Sequence, residues 1–546
     1  MMELLNVRFS YRVKGRKITV NTTDTVNNSR VRLDISSTAE HFAAAVSTNS
    51  PVEIVCLEAE FDYTFPDDAR IFINGYQSWT ECREYGKDEV MKGIDHIPSP
   101  VRDRFSLAAY GDYTFTQYSA KRGDLHGFSY GYIRHGIGEY DFIGSLNENE
   151  GFTVIRTDTS KGRIIISKEC EGLLVTDAFS GLDIFFRHGE ENSVFDRYFE
   201  LMEIKPAVAK PVFGYTSWYR HYQNISEDVL LHDLEGLRSS PIKPDIFQID
   251  DGYQCAVGDW LRVDAEKFPH RMSYLADRIT DEGLIPGIWL APFVCEEKSE
   301  IFRDRKDWLL YDKNGPIKCG GNWSGAYALD IYSPEVRDYL RKIFNVIVNE
   351  WRFRLLKLDF LYAACIIPRK DKTRGMVMHD AMSLLRELAG PAQILACGVP
   401  LASAFGTADY CRIGPDVSLD WNDKLYMQAL HRERPSTRNT ILCSVFRRHL
   451  NGRAFINDPD VFLLRDKQTG MNELQKRCLA EINALCGGVL FSSDDFSVYG
   501  HRQQKELGEI DALKGAHILS ADVYGDTLVI SLEKDGRYDT RAYPLF

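Results

Sequence analysis

Short apolar runs fill the first 205 residues, and each is rich in Val, Ile, Phe, Tyr and Thr. Examples are residues 17–23, 52–65, 69–75, 151–157, 162–168 and 182–188, several of them bounded by Gly, Asp or Asn. β-Branched and aromatic residues favour strands, and strands at this density with few helical patterns between them are typical of a large antiparallel sandwich. We therefore predict an N-terminal β-domain over residues 1–205.

The pattern changes after Pro206 and Pro211, which mark a predicted linker. Beyond it, short apolar runs alternate with amphipathic stretches that carry helix signals. Ser226 is a candidate N-cap, Pro334 follows Ser333 at a first helical position, and Gly390 is a candidate C-cap. The eight candidate strands are residues 212–218, 246–251, 286–293, 355–362, 393–398, 409–414, 454–460 and 487–495.

Eight strands that alternate with helices over residues 206–499 predict a (β/α)8 TIM barrel. A doubly wound sheet is the rival, but no G-x-G-x-x-G follows the first strand, which argues against a nucleotide site there. Residues 500–546 return to a β pattern and predict a small C-terminal β-domain. The predicted fold is thus multidomain α/β, with the barrel at its centre.

The composition narrows the class of protein. The chain is 44% hydrophobic and 27% charged, as in ordinary globular proteins, and its net charge of −13 disfavours binding to nucleic acid or to anionic membranes. No secretory signal pattern opens the sequence, and the twelve cysteines are scattered without a C-x-x-C pair. We predict a cytoplasmic, reduced protein that binds neither nucleic acid nor membranes, and a homo-oligomer is compatible with its aromatic-rich β-domain.

Two opposite charges interrupt the fourth barrel strand, which reads "LLKLDFLY". Lys357 and Asp359 are two residues apart, so in a strand both side chains point to one face. Burying both costs desolvation energy unless they are paired or used by the protein. Taken alone, they fit either a structural ion pair or a working site.

Carboxylates recur at the carboxyl ends of several predicted strands, where barrel enzymes place their catalytic groups. Each also has a structural reading, as a turn residue, a cap or an ion-pair partner. The recurrence around one barrel mouth favours a site. The residues are Asp250, Asp251, Asp359, Asp416, Asp458, Asp460, Asp494 and Asp495, with Arg412 beside them.

The chemistry that suits these groups is glycoside hydrolysis. The sequence has no H-x-x-x-H, no H-E-x-x-H and no G-x-S-x-G motif, so metal and serine hydrolases are weakly supported, and we predict no cofactor and no metal. Two separated carboxylates in a pocket with aromatic walls can attack an anomeric carbon and protonate the leaving oxygen.

At these residues the sequence resembles glycoside hydrolase family 36, the bacterial α-galactosidases. The resemblance rests on "NGYQSW", "FQIDDGYQ", "KLDFLYA", "CRIGPDVSLDW", "FINDPDVFLLR" and "GGVLFSSDD", in the family's order and over nearly the whole chain. It implies an N-terminal antiparallel β-supersandwich, a (β/α)8 barrel and a C-terminal β-domain. "DDGYQ" carries Tyr253 where many relatives have Trp.

The resemblance also implies roles for individual residues. Asp359 matches the catalytic nucleophile, which forms a covalent galactosyl-enzyme, and Asp416 matches the acid/base of a retaining mechanism. We expect Lys357 to lower the pKa of Asp359, since a nearby cation stabilises a carboxylate. The residues that match sugar contacts are Asp250 and Asp251 at the 4- and 6-hydroxyls, Lys357, Arg412, Trp218 and Trp79, with Cys397 and Gly398 beside the 2-position.

The expected activity is therefore removal of terminal α-galactose by a retaining, exo-acting enzyme. We expect small oligosaccharides of the raffinose and melibiose type, because no appended carbohydrate-binding module is apparent. Two alternatives stay open: an α-N-acetylgalactosaminidase of the same family and a non-catalytic sugar-binding relative.

Overall fold

The computed structural model describes residues 2–136 and 138–545. The strands of the first part form two antiparallel sheets, β2-β1-β6-β13-β12-β9 with β14 on β6, and β3-β4-β5-β15-β11-β10-β7-β8. Their bounds are β1 Glu3–Val13, β2 Arg16–Thr22, β3 Val26–Asn27, β4 Val31–Ser37, β5 His41–Thr48, β6 Val52–Asp62, β7 Arg70–Ile73, β8 Glu84–Gly86, β9 Asp124–Phe128, β10 Tyr130–His135, β11 Glu139–Ser145, β12 Thr153–Asp158, β13 Arg163–Lys168, β14 Leu174–Val175 and β15 Ala178–Gly189.

Alternating side chains of the two sheets share one buried apolar core. Phe9 of β1 and Leu57 of β6 come from the first sheet, and Phe42 of β5 and Ile184 of β15 come from the second. All four are at most 1% exposed. The predicted antiparallel strands of the N-terminal part are therefore present and pack face to face.

The middle of the chain forms a curled parallel sheet. Its order is β27-β26-β25-β24-β18-β17-β16-β29-β28, and the two edge strands are consecutive in sequence, separated by Pro459 and Asp460. The strands from here to the end are β16 Val212–Thr216, β17 Ile246–Ile249, β18 Ile285–Leu290, β19 Val294–Glu296, β20 Tyr311–Asp312, β21 Gly315–Pro316, β22 Lys318–Gly320, β23 Ala326–Ala328, β24 Leu355–Leu358, β25 Gln393–Ala396, β26 Tyr410–Arg412, β27 Ile456–Asp458, β28 Val461–Phe462, β29 Val489–Ser492, β30 His517–Tyr524, β31 Thr527–Lys534 and β32 Arg537–Pro544.

Helices connect most of the parallel strands, and their caps agree with the sequence signals. Ser226 and Ser333 accept hydrogen bonds from the backbone N–H groups of Val229 and Val336, and Gly390 ends its helix with φ +51°. The helices are α1 Ser99–Arg104, α2 Glu191–Leu201, α3 Trp218–His221, α4 Glu227–Leu237, α5 Met272–Asp281, α6 Glu300–Asp304, α7 Pro334–Asn345, α8 Arg374–Ala389, α9 Leu425–Gln428, α10 Thr437–Phe446, α11 Glu473–Cys486 and α12 His501–Asp511.

All eight predicted barrel strands occur, but several are shorter than predicted. The fourth ends at Leu358, not at residue 362, because Phe360 has φ +54° and residues Leu361–Cys365 form a 3-10 turn. Asp359 is thus the first residue after the carboxyl end of the strand. Helix α12 precedes the antiparallel sheet β30-β31-β32 of the predicted C-terminal domain. Among the described residues, no helix is both long and apolar enough to cross a membrane.

Candidate active site

The carboxyl ends of the parallel strands meet at a cavity of about 770 Å³. Asp250 follows β17, Lys357 lies in β24, and Asp359 follows β24 directly. Parallel strands present these ends at the same edge of the sheet, which brings together residues that are far apart in sequence. Seven of the predicted site residues line the cavity: Trp79, Trp218, Asp250, Asp251, Lys357, Asp359 and Asp416.

The other three predicted residues contact this lining from behind it. Arg412 donates a hydrogen bond to Asp416, and Cys397 accepts one from the indole N–H of Trp79. Gly398 lies against the Trp79 ring. All ten residues therefore belong to one cluster.

Lys357 forms its ion pair with Asp250, not with Asp359. The Lys357 Nζ donates to Asp250 Oδ2 at 2.9 Å, and both side chains are buried. Burial raises the pKa of Asp250, but the charge and hydrogen bond of Lys357 outweigh it, so this pKa is lower than usual. The charge partner expected for Asp359 is thus hydrogen-bonded to Asp250.

Asp359 is held by two N–H donors in a buried position. Its Oδ2 accepts from the indole of Trp289 at 3.0 Å, and its Oδ1 accepts from the backbone N–H of Phe360 at 2.9 Å. Burial raises the pKa of Asp359 above its usual value, although Lys357 and Trp289 act in the opposite direction. Lys357 thus acts on the pKa of Asp359 in the expected direction, but the desolvation of this carboxylate exceeds the effect of the cation.

Three neutral hydrogen-bond donors hold the Asp251 carboxylate. It accepts from the side-chain amides of Gln254 at 2.5 Å and Gln223 at 2.8 Å, and from the indole of Trp323 at 2.9 Å. Burial raises its pKa, and these neutral donors oppose the rise. The three donors fix the orientation of the carboxylate relative to the cavity.

Asp416 is in a more open environment than Asp359. Its side chain is 40% exposed, whereas Asp359 is 7% exposed, and its Oδ1 accepts from Arg412 Nη1 at 2.9 Å. The same buried guanidinium pairs with Asp458 at 3.2 Å and Asp460 at 2.8 Å. The two aspartates of "NDPD" therefore position Arg412, and burial raises the pKa of Asp460 to about 6.

One wall of the cavity comes from the N-terminal part of the chain. The Trp79 indole donates to Cys397 Sγ at 3.2 Å, and two of its ring atoms lie 3.0 Å from where a Cβ of residue 398 would be. Gly398 has φ +57°, a conformation that favours glycine. Buried Arg447 fixes the loop by donating to the Asn74 side chain and the Ser78 carbonyl. The cavity is therefore complete only when both parts are packed together.

The sequence of this chain is similar to those of known α-galactosidases. The melibiase family model matches residues 207–381. The α-galactosidase Mel36A of Lactobacillus acidophilus is 23% identical over 298 residues, which is 53% of this chain and 36% of that protein. An α-galactosidase of Escherichia coli is 28% identical over 167 residues, covering 29% and 23% of the two chains. The aligned segments thus span about a quarter to a third of these relatives.

Solved structures match over much more of the chain. TtGalA, the Thermus thermophilus α-galactosidase in complex with p-nitrophenyl α-D-galactopyranoside, is similar with a TM-score of 0.73 and 25% identity, covering 96% of this chain and 100% of that one. The family 36 α-galactosidase AgaA of Geobacillus stearothermophilus gives 0.61 at 11% identity, covering 97% and 79%, and shows the shared fold.

The resemblance to glycoside hydrolase family 36 is confirmed.

Sequence reasoning missed several side chains that shape this cavity. Trp289 and Trp323 each hold one of its carboxylates, and Phe360 packs its ring against Trp79 at 5.0 Å and Trp323 at 4.9 Å. Trp289 carried a usable signal, since it lies in the predicted third strand and pairs in register with Lys357. Trp323 lies in the loop between β22 and β23, where no pattern pointed to the cavity.

Donor geometry among the described residues indicates one group able to hold a metal ion: His135, Asp141 and His188. These residues lie on β10, β11 and β15 of the N-terminal sheet. None of them lines the cavity.

Proposed function

We propose that this chain is a retaining, exo-acting α-galactosidase. The observation that carries the proposal is the pair Asp359 and Asp416. One carboxylate is buried and oriented by two N–H donors, and the other is half-exposed in the same cavity. Retaining glycosidases need a fixed nucleophile and a second carboxyl group that exchanges protons with leaving group and water. A protein that only binds sugar needs neither.

In the proposed first step, an Asp359 oxygen attacks the anomeric carbon while Asp416 protonates the departing glycosidic oxygen. The C1–oxygen bond to the leaving group breaks, and a galactosyl ester forms on Asp359. In the second step, Asp416 takes a proton from water, whose oxygen attacks C1 and breaks the ester. Two inversions give net retention.

Sugar recognition is assigned to the remaining groups. We propose that Asp250 and Asp251 accept hydrogen bonds from the 4- and 6-hydroxyls, so that the axial 4-hydroxyl distinguishes galactose from glucose. Lys357 and Arg412 contact other ring hydroxyls. Aromatic rings of Trp79 and Trp218 pack on the sugar, with Cys397 and Gly398 beside the 2-position.

We also infer that the curled parallel sheet is a (β/α)8 barrel. Its two edge strands, β27 and β28, are successive segments of one stretch, which supports closure through residues 459 and 460. The connection from β25 to β26 contains a 3-10 turn, Leu401–Ala404, in place of a helix. We also propose that residues 1–205 form the N-terminal β-domain, residues 206–499 the barrel and residues 500–546 the C-terminal β-domain.

An α-N-acetylgalactosaminidase and a non-catalytic relative are the competing functions. The Trp79 ring fills the space next to Gly398, which argues for a hydroxyl and against an acetamido group at the 2-position. Small substrates of the raffinose and melibiose type stay the sequence-based expectation. A panel of nitrophenyl α-galactoside, α-N-acetylgalactosaminide and α-glucoside separates these possibilities by their kcat/KM values.

The test of the mechanism combines two variants with product analysis. We expect Asp359→Asn to abolish nitrophenyl α-galactoside turnover, and Asp416→Ala to accumulate a galactosyl adduct on Asp359, detected by mass spectrometry of peptides. Asp281→Asn, on the exposed end of α5, is the matched control. Proton NMR should show the α-anomer of galactose first. Equal turnover by wild type and Asp359→Asn would refute the proposal.

A further inference from the structure

The cavity has a charged floor and an apolar rim. Asp250, Asp251 and Asp359 are at most 7% exposed and form the floor. Val101 is 39% exposed, Phe105 49% and Tyr426 66%, and all three line the same cavity. This gradient of exposure places the three large apolar side chains at the mouth. We call Val101, Phe105 and Tyr426 the apolar rim.

The apolar rim is not part of a hydrophobic core. Val101 lies in α1, Phe105 follows α1, and Tyr426 lies in α9, and neither of these two short helices buries any residue of its own. Large apolar side chains that face a cavity and remain exposed to water mark a ligand surface. The apolar rim is therefore a candidate ligand-binding surface.

Contacts between the two segments fix the rim in place. His96 Nε2 is 2.7 Å from the Ala429 carbonyl oxygen, which joins the segment before α1 to the segment after α9. Leu430 packs against the small buried cluster that contains Ile97 and Leu107. The rim side chains are thus carried by two segments that hold each other beside the cavity.

Two polar side chains near the rim, Glu433 and Tyr110, already have hydrogen-bond partners within the protein. Among the described residues that line the cavity, the charged groups beyond those of the predicted site are limited to Glu433. Its carboxylate accepts from Thr80 at 2.8 Å and from Tyr113 at 2.7 Å. The Tyr110 hydroxyl donates to Asn322, and the His431 ring stacks on Tyr110.

These environments favour different parts of a substrate. A sugar leaving group would bring several hydroxyls against Val101 and Phe105, and hydroxyls that lose water without gaining partners weaken binding. A hydrocarbon chain at the same place gains from leaving water. The floor fits galactose, whereas the rim fits something apolar attached to it.

Building on the proposed function, we propose that the apolar rim binds the leaving group, and that preferred substrates are α-galactosides of alcohols with a hydrocarbon chain. The rim and the charged floor line one cavity, so a group bound at the rim would be attached to the galactose bound at the floor. The proposal departs from the expectation of raffinose and melibiose, in which the leaving group is a sugar. It leaves the bond-breaking chemistry unchanged.

The test compares kcat/KM for methyl α-galactoside, octyl α-galactoside below its micelle concentration, and melibiose, by release of galactose. Methoxide and octyloxide leaving groups have similar basicity. The ratio of kcat/KM for octyl α-galactoside to that for methyl α-galactoside, the octyl-to-methyl ratio, therefore reports the apolar contacts of the longer chain. We expect octyl to exceed both others at least tenfold, the effect of burying about two methylene groups. Phe105→Ser and Tyr426→Ser should each lower the octyl-to-methyl ratio at least threefold.

Leu425→Ser is the matched control, because Leu425 is 86% exposed on the same helix as Tyr426 and does not line the cavity. Its octyl-to-methyl ratio should equal that of wild type. Hydrolysis of methyl galactoside and melibiose with an octyl-to-methyl ratio near one overturns this inference and leaves the proposed function intact. No release of galactose from any of the three overturns both. A dimeric wild type that Phe105→Ser converts to a monomer by light scattering, with an unchanged ratio, assigns the rim to a subunit contact and overturns the inference.

Discussion

Replacing Lys357 by methionine tests the buried ion pair at the floor of the cavity. Methionine keeps a similar length and removes the charge, so Asp250 loses the partner at 2.9 Å. Its carboxylate keeps the Gln248 amide at 3.1 Å, the Asp251 backbone N–H at 2.9 Å and the Thr216 hydroxyl at 3.4 Å. None of these donors carries a charge, and Asp250 is 2% exposed, so the carboxylate loses the charge that compensates for its burial.

The magnitude follows from the geometry. At 2.9 Å and an effective dielectric constant of about 20, two unit charges attract by about 6 kcal/mol. Desolvation of both groups offsets most of this, so the intact pair contributes little net stability, whereas removing one partner costs about 3–5 kcal/mol. We therefore expect Lys357→Met to lower the free energy of unfolding by about 3–5 kcal/mol.

A double-mutant cycle separates the pair from its surroundings. Lys357→Met combined with Asp250→Asn leaves no unpaired buried charge there, so we expect the double variant to be more stable than the sum of the two single losses by at least about 2 kcal/mol. Urea unfolding followed by tryptophan fluorescence is the assay. Seven of the eight tryptophans lie within residues 206–499, so the signal reports on this part of the chain.

The pH dependence gives a second readout with a defined sign. The native pKa of Asp250 is below 3.8, so its ion pair contributes stability above pH 3.8 and loses it as the pH falls through that native value. In Lys357→Met the carboxylate can protonate at higher pH, which relieves the unpaired charge. The stability gap between wild type and variant should therefore narrow on acidification. Strictly additive single losses, or a gap that widens at low pH, would refute the reasoning.

Three further predictions concern the same cavity. Gly398→Ala should lower kcat/KM at least tenfold and change tryptophan fluorescence, because φ +57° strains alanine by about 1–2 kcal/mol and its Cβ would meet the Trp79 ring at 3.0 Å; unchanged kinetics would contradict this. Arg447→Met should destabilise the protein by about 3–5 kcal/mol and lose activity, since buried Arg447 holds the Trp79 loop through carbonyl contacts; a near-native urea midpoint would count against it. Burial raises the pKa of Asp460 to about 6. Wild type should therefore lose stability relative to Asp460→Asn as the pH rises from 3.8 to about 6. If the melting temperature of wild type instead rose relative to that of Asp460→Asn over this range, the sign would be wrong.

The sequence alone determined the succession of elements. Ser226, Ser333 and Gly390 marked helix ends through local capping. The alternation of short apolar runs with amphipathic stretches predicted eight of the nine strands of the parallel sheet, all but β28. Asp250 and Asp359 could be placed together from the sequence, because parallel strands present their carboxyl ends at one edge. Their assigned roles depended on the resemblance to family 36.

Only the tertiary structure decided which charges pair and how strongly each is buried. Lys357 and Asp359 are neighbours in sequence, yet the ammonium bonds to Asp250, since inward side chains of alternate strands in a curled sheet meet in one layer. The pKa of Asp359 is raised because packing removes water from it, and packing of residues distant in the chain leaves no local signal. Trp79 likewise reaches the cavity only through the contacts of its loop with Arg447 and Cys397.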